Sequence, residues 1–351
     1  MKRIYIRVDG NEIIATGHVM RCLSIAEQIR KLGAEVIFVV ADNRPCALIE
    51  QRGFKVDVLD TVWDNLDVEI ERFTQYIVRK KVNILLLDTY YVTKPYLERI
   101  SDYTKIVYID DLEKFLYPVN TLIHYWAFAD EKQYIAPYRE AGRNVDFLIG
   151  GSFEPLRDEF ALQPFKVNLE VKKVLVTTGG TDRLNVAGNL LRELLNDEVC
   201  CRLEYHVIVG CFNENKDDLF ELQKTNANIY LHENVTNMSE WMRNCDMAIT
   251  AAGTTTYELC ACGIPSICLE IADNQEGAVR WEEEGYMRYA GNAYKDMKTC
   301  IENCRKFLAL YQSAYEERKD WSKRMQSLID GYGAKRIAEY IVNEEGKEFD
   351  S

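Results

Sequence analysis

Residues 7–22 read RVDGNEIIATGHVMRC, and they join a predicted strand to a predicted helix. The apolar run at 2–8 is typical of a buried strand, and from 19 to 29 the apolar positions recur at helical spacing. A polar loop lies between the two, so that Gly17 and His18 stand where the helix begins. Unpaired backbone N–H groups and the helix dipole at such a junction favour an anionic ligand.

His18 admits two interpretations at this position. The helix dipole disfavours a positive charge on the imidazole, so the ring would stay neutral and able to accept a proton. The alternative is a histidine that only caps the helix or packs against it. The remaining motifs of the chain bear on this choice.

The composition indicates a two-domain protein that does not bind nucleic acid. A chain of 351 residues is long for one hydrophobic core, and 47% of it is hydrophobic. The 56 acidic residues outnumber the 43 basic ones, which argues against a basic nucleic-acid surface. The 11 cysteines form no CxxC pair, and the four histidines are not spaced as zinc ligands. We therefore expect buried thiols in a reducing compartment and no metal.

The chain carries no predicted targeting or membrane-spanning segment. Its first apolar run is broken by Arg7 and Asp9 and is too short for a signal peptide. No other run approaches the length that a bilayer requires. We expect a soluble cytoplasmic protein without membrane contacts, either a monomer or a weak dimer.

Strand-like runs alternate with helical patterns in both halves of the chain. Because these runs are continuous in Val, Ile and Leu, they predict parallel sheets covered on both faces. The fold class is thus α/β, with two doubly wound Rossmann-like domains facing a cleft in which a ligand binds. The predicted strands lie at 4–8, 35–41, 55–59, 83–88, 105–109, near 122 and at 147–150, and then at 173–178, 205–209, 228–231, 247–250, 266–269 and 287–289.

The domain boundary is predicted where this alternation stops. Residues 150–171 have no period and contain Gly151, Pro155 and Pro164, which is typical of a linker. The predicted parts are an N-terminal domain at 1–155, a second domain at 156–318 and a helical tail at 319–351 that packs back across the domains. Predicted helices include 67–81, 94–103, 186–195, 217–224, 238–244, 255–262, 275–284 and much of 298–343.

Three motifs of the second half follow predicted strands. Residues 177–182 (TTGGTD) pair two glycines, which lets the backbone approach a phosphate, although such a pair is often only a turn. Residues 251–258 (AAGTTTYE) place three threonine hydroxyls at a helix start, with Glu258 one turn later to accept bonds from ribose hydroxyls. A plain capping sequence is the alternative. Residues 273–275 (DNQ) offer amide groups to a sugar or form an ordinary N-cap.

Two motifs of the first half end neighbouring strands. Asp88 and Tyr90 follow one strand, and Asp110-Asp111 follow the next. Paired carboxylates can bind a divalent metal, but no phosphate loop of the Walker type accompanies them. The serine-hydrolase elbow and the dinucleotide fingerprint are missing too, so we expect neither a serine hydrolase nor a nicotinamide cofactor.

Taken in order, these motifs resemble one family. The family comprises the UDP-2,4-diacetamido-2,4,6-trideoxy-β-L-altropyranose hydrolases of pseudaminic acid biosynthesis and the related spore coat polysaccharide biosynthesis proteins. It is similar in turn to the two-domain glycosyltransferases of the B fold. The chain departs from the family pattern at 123–126 (IHYW), where an asparagine-containing segment is expected. The matching blocks are 7–23, 88–90, 110–111, 155–160, 179–182, 274–275 and 330–337.

The resemblance implies hydrolysis of a UDP-linked diacetamido-trideoxy sugar to UDP and free sugar, for nonulosonic (pseudaminic) acid or a related surface glycan. It implies a small-molecule UDP-sugar as the partner and requires no cofactor. Carried over by position, the catalytic residues would be His18 and Tyr90. The sugar would contact Asp9, Gly17, Arg21, Asp88, Asn274 and Gln275, and UDP would contact Gly179, Gly180, Thr181, Asn234, Val235, Thr254, Thr255, Thr256 and Glu258.

Two alternatives remain open at this point. A glycosyltransferase of the same fold would use His18 to deprotonate an acceptor hydroxyl instead of water. Residues 65–120 show no basic or apolar patch for a lipid acceptor. The other alternative is a nucleotide-sugar-binding protein without activity, against which the presence of His18, Tyr90 and Asn274 argues.

Overall fold

The computed structural model describes residues 2–275 and 277–345, without the side chains of Asn274 and Glu345. The chain divides into two compact units. The first unit comprises 2–158 together with 331–345, and the second is Glu159–Asp330. The predicted boundaries lay at 155 and 318, so 319–330 fall in the second unit and only the last helix returns to the first.

Each unit is built on one fully parallel sheet, as the continuous apolar runs predicted. The first sheet has the order β3-β2-β1-β4-β5-β6-β7 and the second the order β10-β9-β8-β11-β12-β13. The strands are β1 Arg3–Val8, β2 Glu35–Val40, β3 Lys55–Val58, β4 Ile84–Asp88, β5 Lys105–Ile109, β6 Thr121–His124, β7 Asp146–Ile149, β8 Lys173–Thr177, β9 Glu204–Val209, β10 Ile229–Glu233, β11 Met247–Ala251, β12 Ser266–Glu270 and β13 Arg288–Asn292. All thirteen predicted strands are confirmed.

Helices cover the sheets. They are α1 Gly17–Lys31, α2 Cys46–Gln51, α3 Ile70–Lys80, α4 Lys94–Ser101, α5 Glu131–Glu140, α6 Val186–Leu195, α7 Lys216–Thr225, α8 Met238–Asn244, α9 Thr255–Cys262, α10 Arg280–Glu283, α11 Met297–Ser313, α12 Tyr315–Leu328 and α13 Gly333–Glu345. No helix in the described part of the chain is long and apolar enough to cross a membrane.

The strand order determines where the loops after β1 and β8 lie. In each sheet the order reverses once, between β1 and β4 in the first unit and between β8 and β11 in the second. The loops that leave adjacent strands at such a reversal diverge to opposite faces and open a crevice at the carboxyl ends, where ligands of doubly wound sheets bind. The loop after β1 contains residues 9–16, and the loop after β8 contains the glycine pair at 179–180.

The last helix completes the core of the first unit. Ile337, Ala338 and Ile341 of α13 are fully buried and pack in the same cluster as the buried face of α1 and the apolar residues of β1. At the start of α13, a Cβ on Gly333 would lie 2.1 Å from the carbonyl oxygen of Glu154. The two backbone segments therefore approach each other so closely that only glycine fits.

One helix is shorter than predicted. The prediction placed a helix at 275–284, but the structure has a 3-10 turn at Asp273–Gln275 and then only α10. Gly277 has φ 96°, which a helical residue cannot adopt, so the helix starts after it. The periodicity of the apolar residues did not reveal this interruption. The predicted linker at 150–171 contains two short 3-10 turns, Gly151–Phe153 and Asp158–Phe160.

Two histidines stack on the edge of the second sheet. Nδ1 of His206 in β9 lies 3.1 Å from Nε2 of His232 in β10, and the His232 ring centroid is 3.7 Å from that of Trp241 in α8. Burial lowers the pKa of both imidazoles. The charge of Lys173 lowers the pKa of His206 further, against the opposite effect of Glu204. The charged form of either ring is therefore disfavoured in the folded state.

This pair should make the second unit less stable in acid. Because both folded-state pKa values lie below that of an unfolded histidine, the unfolded chain binds more protons, and the free energy of unfolding falls as pH drops below about 6.5. Urea titrations at pH 7.5 and 5.5 should show this loss. The double variant His206→Phe/His232→Phe, which keeps aromatic rings without titrating, should lose less stability over the same interval. An equal loss would contradict the assignment.

Candidate functional site

The loop after β1 places His18 at the crevice of the first unit. Oδ1 of Asn11 accepts hydrogen bonds from the backbone N–H groups of Ile13 and Ile14, at 2.8 and 3.0 Å, which folds the loop on itself. A Cβ on Gly10 would lie 2.8 Å from Val19 Cγ2, so the loop packs closely on α1. The helix then begins at Gly17, and His18 lies in its first turn.

His18 is paired with the carboxylate that ends β4. Its Nδ1 lies 2.6 Å from Asp88 Oδ1, and both side chains are buried. Burial alone would raise the pKa of the Asp88 carboxyl, but the charge of Arg21 and the hydrogen bonds that Arg21 and His18 donate outweigh it and hold that pKa below its usual range. An ionised carboxylate can only accept, so we assign the proton to Nδ1 and the free lone pair to Nε2. His18 therefore pairs with Asp88 and does not cap α1.

Tyr90 stands beside this pair. Its ring meets that of His18 edge to face, with centroids 4.4 Å apart, and its hydroxyl is hydrogen-bonded to Asp111. Burial and the charge of Asp111 raise the pKa of Tyr90 to about 12. The phenol therefore keeps its proton at neutral pH. His18, Asp88 and Tyr90 line one narrow recess, with Asp9 and Tyr91 on the same wall.

Asp9 serves the framework of this crevice. It accepts a hydrogen bond from Arg7 at 2.5 Å and another from the backbone N–H of Ala41 at 2.7 Å. Arg7 is fully buried and forms a second, bidentate pair with Glu69, with both contacts at 3.0 Å. These bonds tie β1 to the carboxyl end of β2 and to the segment before α3. A substrate contact for Asp9 stays a prediction.

Two members of the site were missed from the sequence. From the sequence, Asp111 belongs to a matching block and to a possible metal-binding pair but has no predicted role at the site, yet it binds Tyr90 and lies 2.8 Å from Arg21. Tyr125, in the segment that departs from the family pattern, hydrogen-bonds Arg21 through its hydroxyl. One signal could have indicated both residues. β4, β5 and β6 are neighbouring parallel strands, and the residues that follow such strands come together at the carboxyl ends of the sheet.

The second unit has its own cavity at the β8/β11 reversal. Its volume is about 380 Å³, and it brings together Gly179, Gly180, Thr181, Thr254, Thr255 and Gln275. Gly179 has φ 77°, which the turn requires. Backbone N–H groups at the start of α9 and small side chains on both loops leave room for an anionic group. Arg183 also lines the cavity, and its Nε lies 3.6 Å from Oε1 of Glu214.

Other predicted nucleotide contacts lie outside the lining of this cavity. Thr256 is buried and donates its hydroxyl to the carbonyl oxygen of Gly253 at 2.8 Å. Asn234, with φ 53°, and Val235 follow β10, while Glu258 lies within α9. The Asn274 side chain lies outside the described residues. The roles predicted for Thr256, Asn234, Val235, Glu258 and Asn274 therefore stay predictions.

One amide and one carboxylate side chain near the cavity accept hydrogen bonds from backbone N–H groups. Gln275 accepts a hydrogen bond from the backbone N–H of Ile271 at 2.8 Å through its Oε1. Asp182 accepts from the backbone N–H groups of Val186 and Ala187 at 2.8 and 3.1 Å and so caps α6. In the described part of the chain, no cluster of three or more His, Cys, Asp or Glu side chains is arranged to hold a metal ion.

The chain has the glycosyltransferase-B fold, with a Rossmann-like sheet in each unit. It is similar to MurG of Acinetobacter baumannii, with a TM-score of 0.67, 12% identity and coverage of 98% of this chain and 100% of that one. It is also similar to the UDP-GlcNAc 2-epimerase of Neisseria meningitidis bound to UDP-GlcNAc, with a TM-score of 0.64, 13% identity and coverage of 98% and 99%. At these identities the likeness shows the fold alone.

Sequence relatives confirm the resemblance drawn from the motifs, although no family model matches the chain. The pseudaminic acid cytidylyltransferase and UDP-2,4-diacetamido-2,4,6-trideoxy-β-L-altropyranose hydrolase of Helicobacter pylori is 28% identical over 74% of this chain and 42% of its own length. The spore coat polysaccharide biosynthesis protein SpsG of Bacillus subtilis is 20% identical over 95% of each chain.

A third relative, an uncharacterized protein of Methanocaldococcus jannaschii, is 26% identical over 76% of this chain and 55% of that one. The chain thus spans about half the length of two of the relatives it matches. Of the three relatives, one is thus named for hydrolysis of a UDP-sugar and one for spore coat polysaccharide biosynthesis.

The glycine loop of the second unit can be tested by two matched substitutions. A Cβ on Gly210 would lie 2.4 Å from the carbonyl oxygen of Gly180, whereas one on Gly180 meets nothing within 4 Å. Gly210→Ala should therefore lower the free energy of unfolding by about 1–3 kcal/mol, and Gly180→Ala should change it little. Urea denaturation measures both, and equal effects of the two substitutions would contradict the close packing described.

Proposed function

We propose that this protein is a nucleotide-sugar hydrolase that splits a UDP-linked 2,4-diacetamido-2,4,6-trideoxy sugar into UDP and free sugar, in nonulosonic (pseudaminic) acid or related surface-glycan biosynthesis. The observation that carries the proposal is the 2.6 Å pairing of His18 Nδ1 with Asp88. It leaves Nε2 as the nitrogen that can take a proton. The second activity in the name of the Helicobacter pylori relative is not part of the proposal.

In this reaction His18 acts as the general base. Its Nε2 removes a proton from a water molecule while the water oxygen forms a bond to the anomeric carbon. The bond between that carbon and the phosphate oxygen breaks, and its electron pair leaves with UDP. Asp88 stabilises the imidazolium that forms and keeps the ring oriented. Tyr90, protonated beside His18, contacts the sugar.

The second unit binds the UDP portion. Its cavity of about 380 Å³ is lined by the glycine pair and by the first residues of α9, whose N–H groups favour negative charge. These donors stabilise the charge that builds up on the leaving diphosphate. Relatives support this reading, because one is named a hydrolase of such a UDP-sugar and a structural neighbour is bound to UDP-GlcNAc.

Release of UDP without an acceptor is the test of the proposal. The protein is incubated with a panel of UDP-sugars, and both UDP and the free sugar are followed by NMR. Steady release from a diacetamido-trideoxy donor supports hydrolysis. Release only when an acceptor sugar is added would instead indicate a glycosyltransferase, and binding without turnover would indicate a binding protein.

His18→Ala should lower the rate of UDP release by about 100-fold or more, because general-base catalysis contributes at least that much. UDP affinity, measured by calorimetry, should stay unchanged, since the nucleotide groups belong to the second unit. A large loss of UDP affinity in this variant would contradict the division of roles between the units.

Arg183 should contribute to diphosphate binding. Its side chain lines the cavity and is 76% exposed, so it is free to turn towards an anion. Arg183→Ala should weaken UDP binding about tenfold and UMP binding less, as expected for the loss of a charge-assisted hydrogen bond. Arg192→Ala is the matched control on α6, because Arg192 pairs with Asp218 and lies outside the lining. Equal effects of both variants would indicate only a general charge effect.

A further inference from the structure

Arg21 contacts the polar groups around His18 and leaves little of its charge exposed. Its Nε lies 2.7 Å from Asp88 Oδ2, and its Nη2 lies 2.5 Å from Asp88 Oδ1 and 2.8 Å from Asp111 Oδ2. Nη2 also lies 3.0 Å from His18 Nδ1, and both nitrogens donate to the same Asp88 oxygen. Its Nη1 donates to the Tyr125 hydroxyl. Only 13% of the Arg21 side chain is exposed. The guanidinium is therefore occupied by protein partners on every side.

Each of the two carboxylates held by Arg21 binds one candidate catalytic side chain. Asp88 accepts the Nδ1 proton of His18, and Asp111 accepts the hydroxyl proton of Tyr90. A continuous series of hydrogen bonds and one ion pair thus runs from His18 to Tyr90 through one guanidinium. Without that cation two carboxylates with 0% and 19% exposure would face each other at close range, which is costly.

We propose that Arg21 is a positioning residue that fixes both His18 and Tyr90 through Asp88 and Asp111, and that it does not contact the sugar. This inference rests on the proposed function and deepens it. Because the protons of His18 Nδ1 and of the Tyr90 hydroxyl are committed to carboxylates, both side chains present a lone pair to the substrate. The groups that they meet must be hydrogen-bond donors, a water O–H at His18 and an N–H or O–H of the sugar at Tyr90.

A lysine cannot replace Arg21 in this role. The planar guanidinium offers several N–H groups in a fixed fork and reaches both carboxylates at once, whereas an ammonium is a point charge on a flexible stem. Arg21→Lys therefore keeps the charge but releases one of the two carboxylates. The matched control is Arg30→Lys on the same helix, because Arg30 donates to the carbonyl oxygen of Arg52 and stacks on Phe54.

The first measurement is the tautomer of His18 by ¹⁵N NMR of the imidazole at alkaline pH, where a histidine ring is neutral. The His18 signals are assigned by their loss in His18→Ala. The wild-type protein and Arg30→Lys should show the form protonated at Nδ1. Arg21→Lys should show a mixture of both tautomers. An unchanged tautomer in folded Arg21→Lys would overturn the proposal.

The second measurement is kinetic. Arg21→Lys should lower kcat for UDP release roughly 100-fold with little change in KM, which is the effect expected when reacting groups are misplaced by about 1 Å. Arg30→Lys should keep the wild-type kcat. A rise in KM at unchanged kcat would indicate that Arg21 contacts the sugar directly, and it would overturn the proposal.

Asp111→Asn keeps the test decisive if Arg21→Lys does not fold. Asparagine has nearly the same shape as aspartate, but it is uncharged. The Asp111→Asn variant therefore no longer offers a charged acceptor to the hydroxyl proton of Tyr90. Its effect on kcat should therefore not add to that of Tyr90→Phe, so that the double variant is no slower than Tyr90→Phe alone. Additive effects would overturn the proposal. If the wild-type protein hydrolyses no UDP-sugar, the proposed function fails, while the NMR measurement, which needs no substrate, still decides the role of Arg21.

Discussion

The buried carboxylate of Asp88 at the end of β4 is the constraint on which the candidate site depends. A charge in that position is tolerated only when cations and hydrogen-bond donors surround it. His18 and Arg21, both in the first two turns of α1, supply them. The start of α1 is consequently held against β4, and the loop from β1 has to reach it within a few residues. The tight packing of Gly10 against Val19 is the result.

The two units use the same strand-order reversal for different chemistry. In the first unit the crevice gathers ionisable side chains, whose mutual charges fix the position of each proton. In the second unit the crevice is lined mainly by glycine, threonine and backbone N–H groups, which suits an anion that needs donors and space. In the proposed reaction, one topology thus provides both the crevice that moves a proton and the crevice that holds a phosphate.

Most of the fold could be predicted from the sequence, because parallel strands buried on both faces appear as unbroken apolar runs. The helix at 275–284 was overestimated, since the φ of Gly277 is a property of the backbone that periodicity does not report. His18, Asp88 and Tyr90 were selected as candidates from their positions after strands and from the family resemblance, and the structure brings them together. Their partners Asp111 and Tyr125 were not, because which side chains meet across neighbouring strands depends on packing and not on spacing along the chain.

The return of α13 to the first unit sets an order on the synthesis of this protein at the ribosome. Ile337 and Ile341 fill a core that also contains Leu23 and Ile25 of α1, more than 300 residues earlier in the chain. The side of α1 that packs against α13 therefore stays uncovered until α13 has been synthesised. The second unit is continuous in sequence and can fold as soon as it emerges, whereas the unit that carries His18 can close only after α13 has emerged as well.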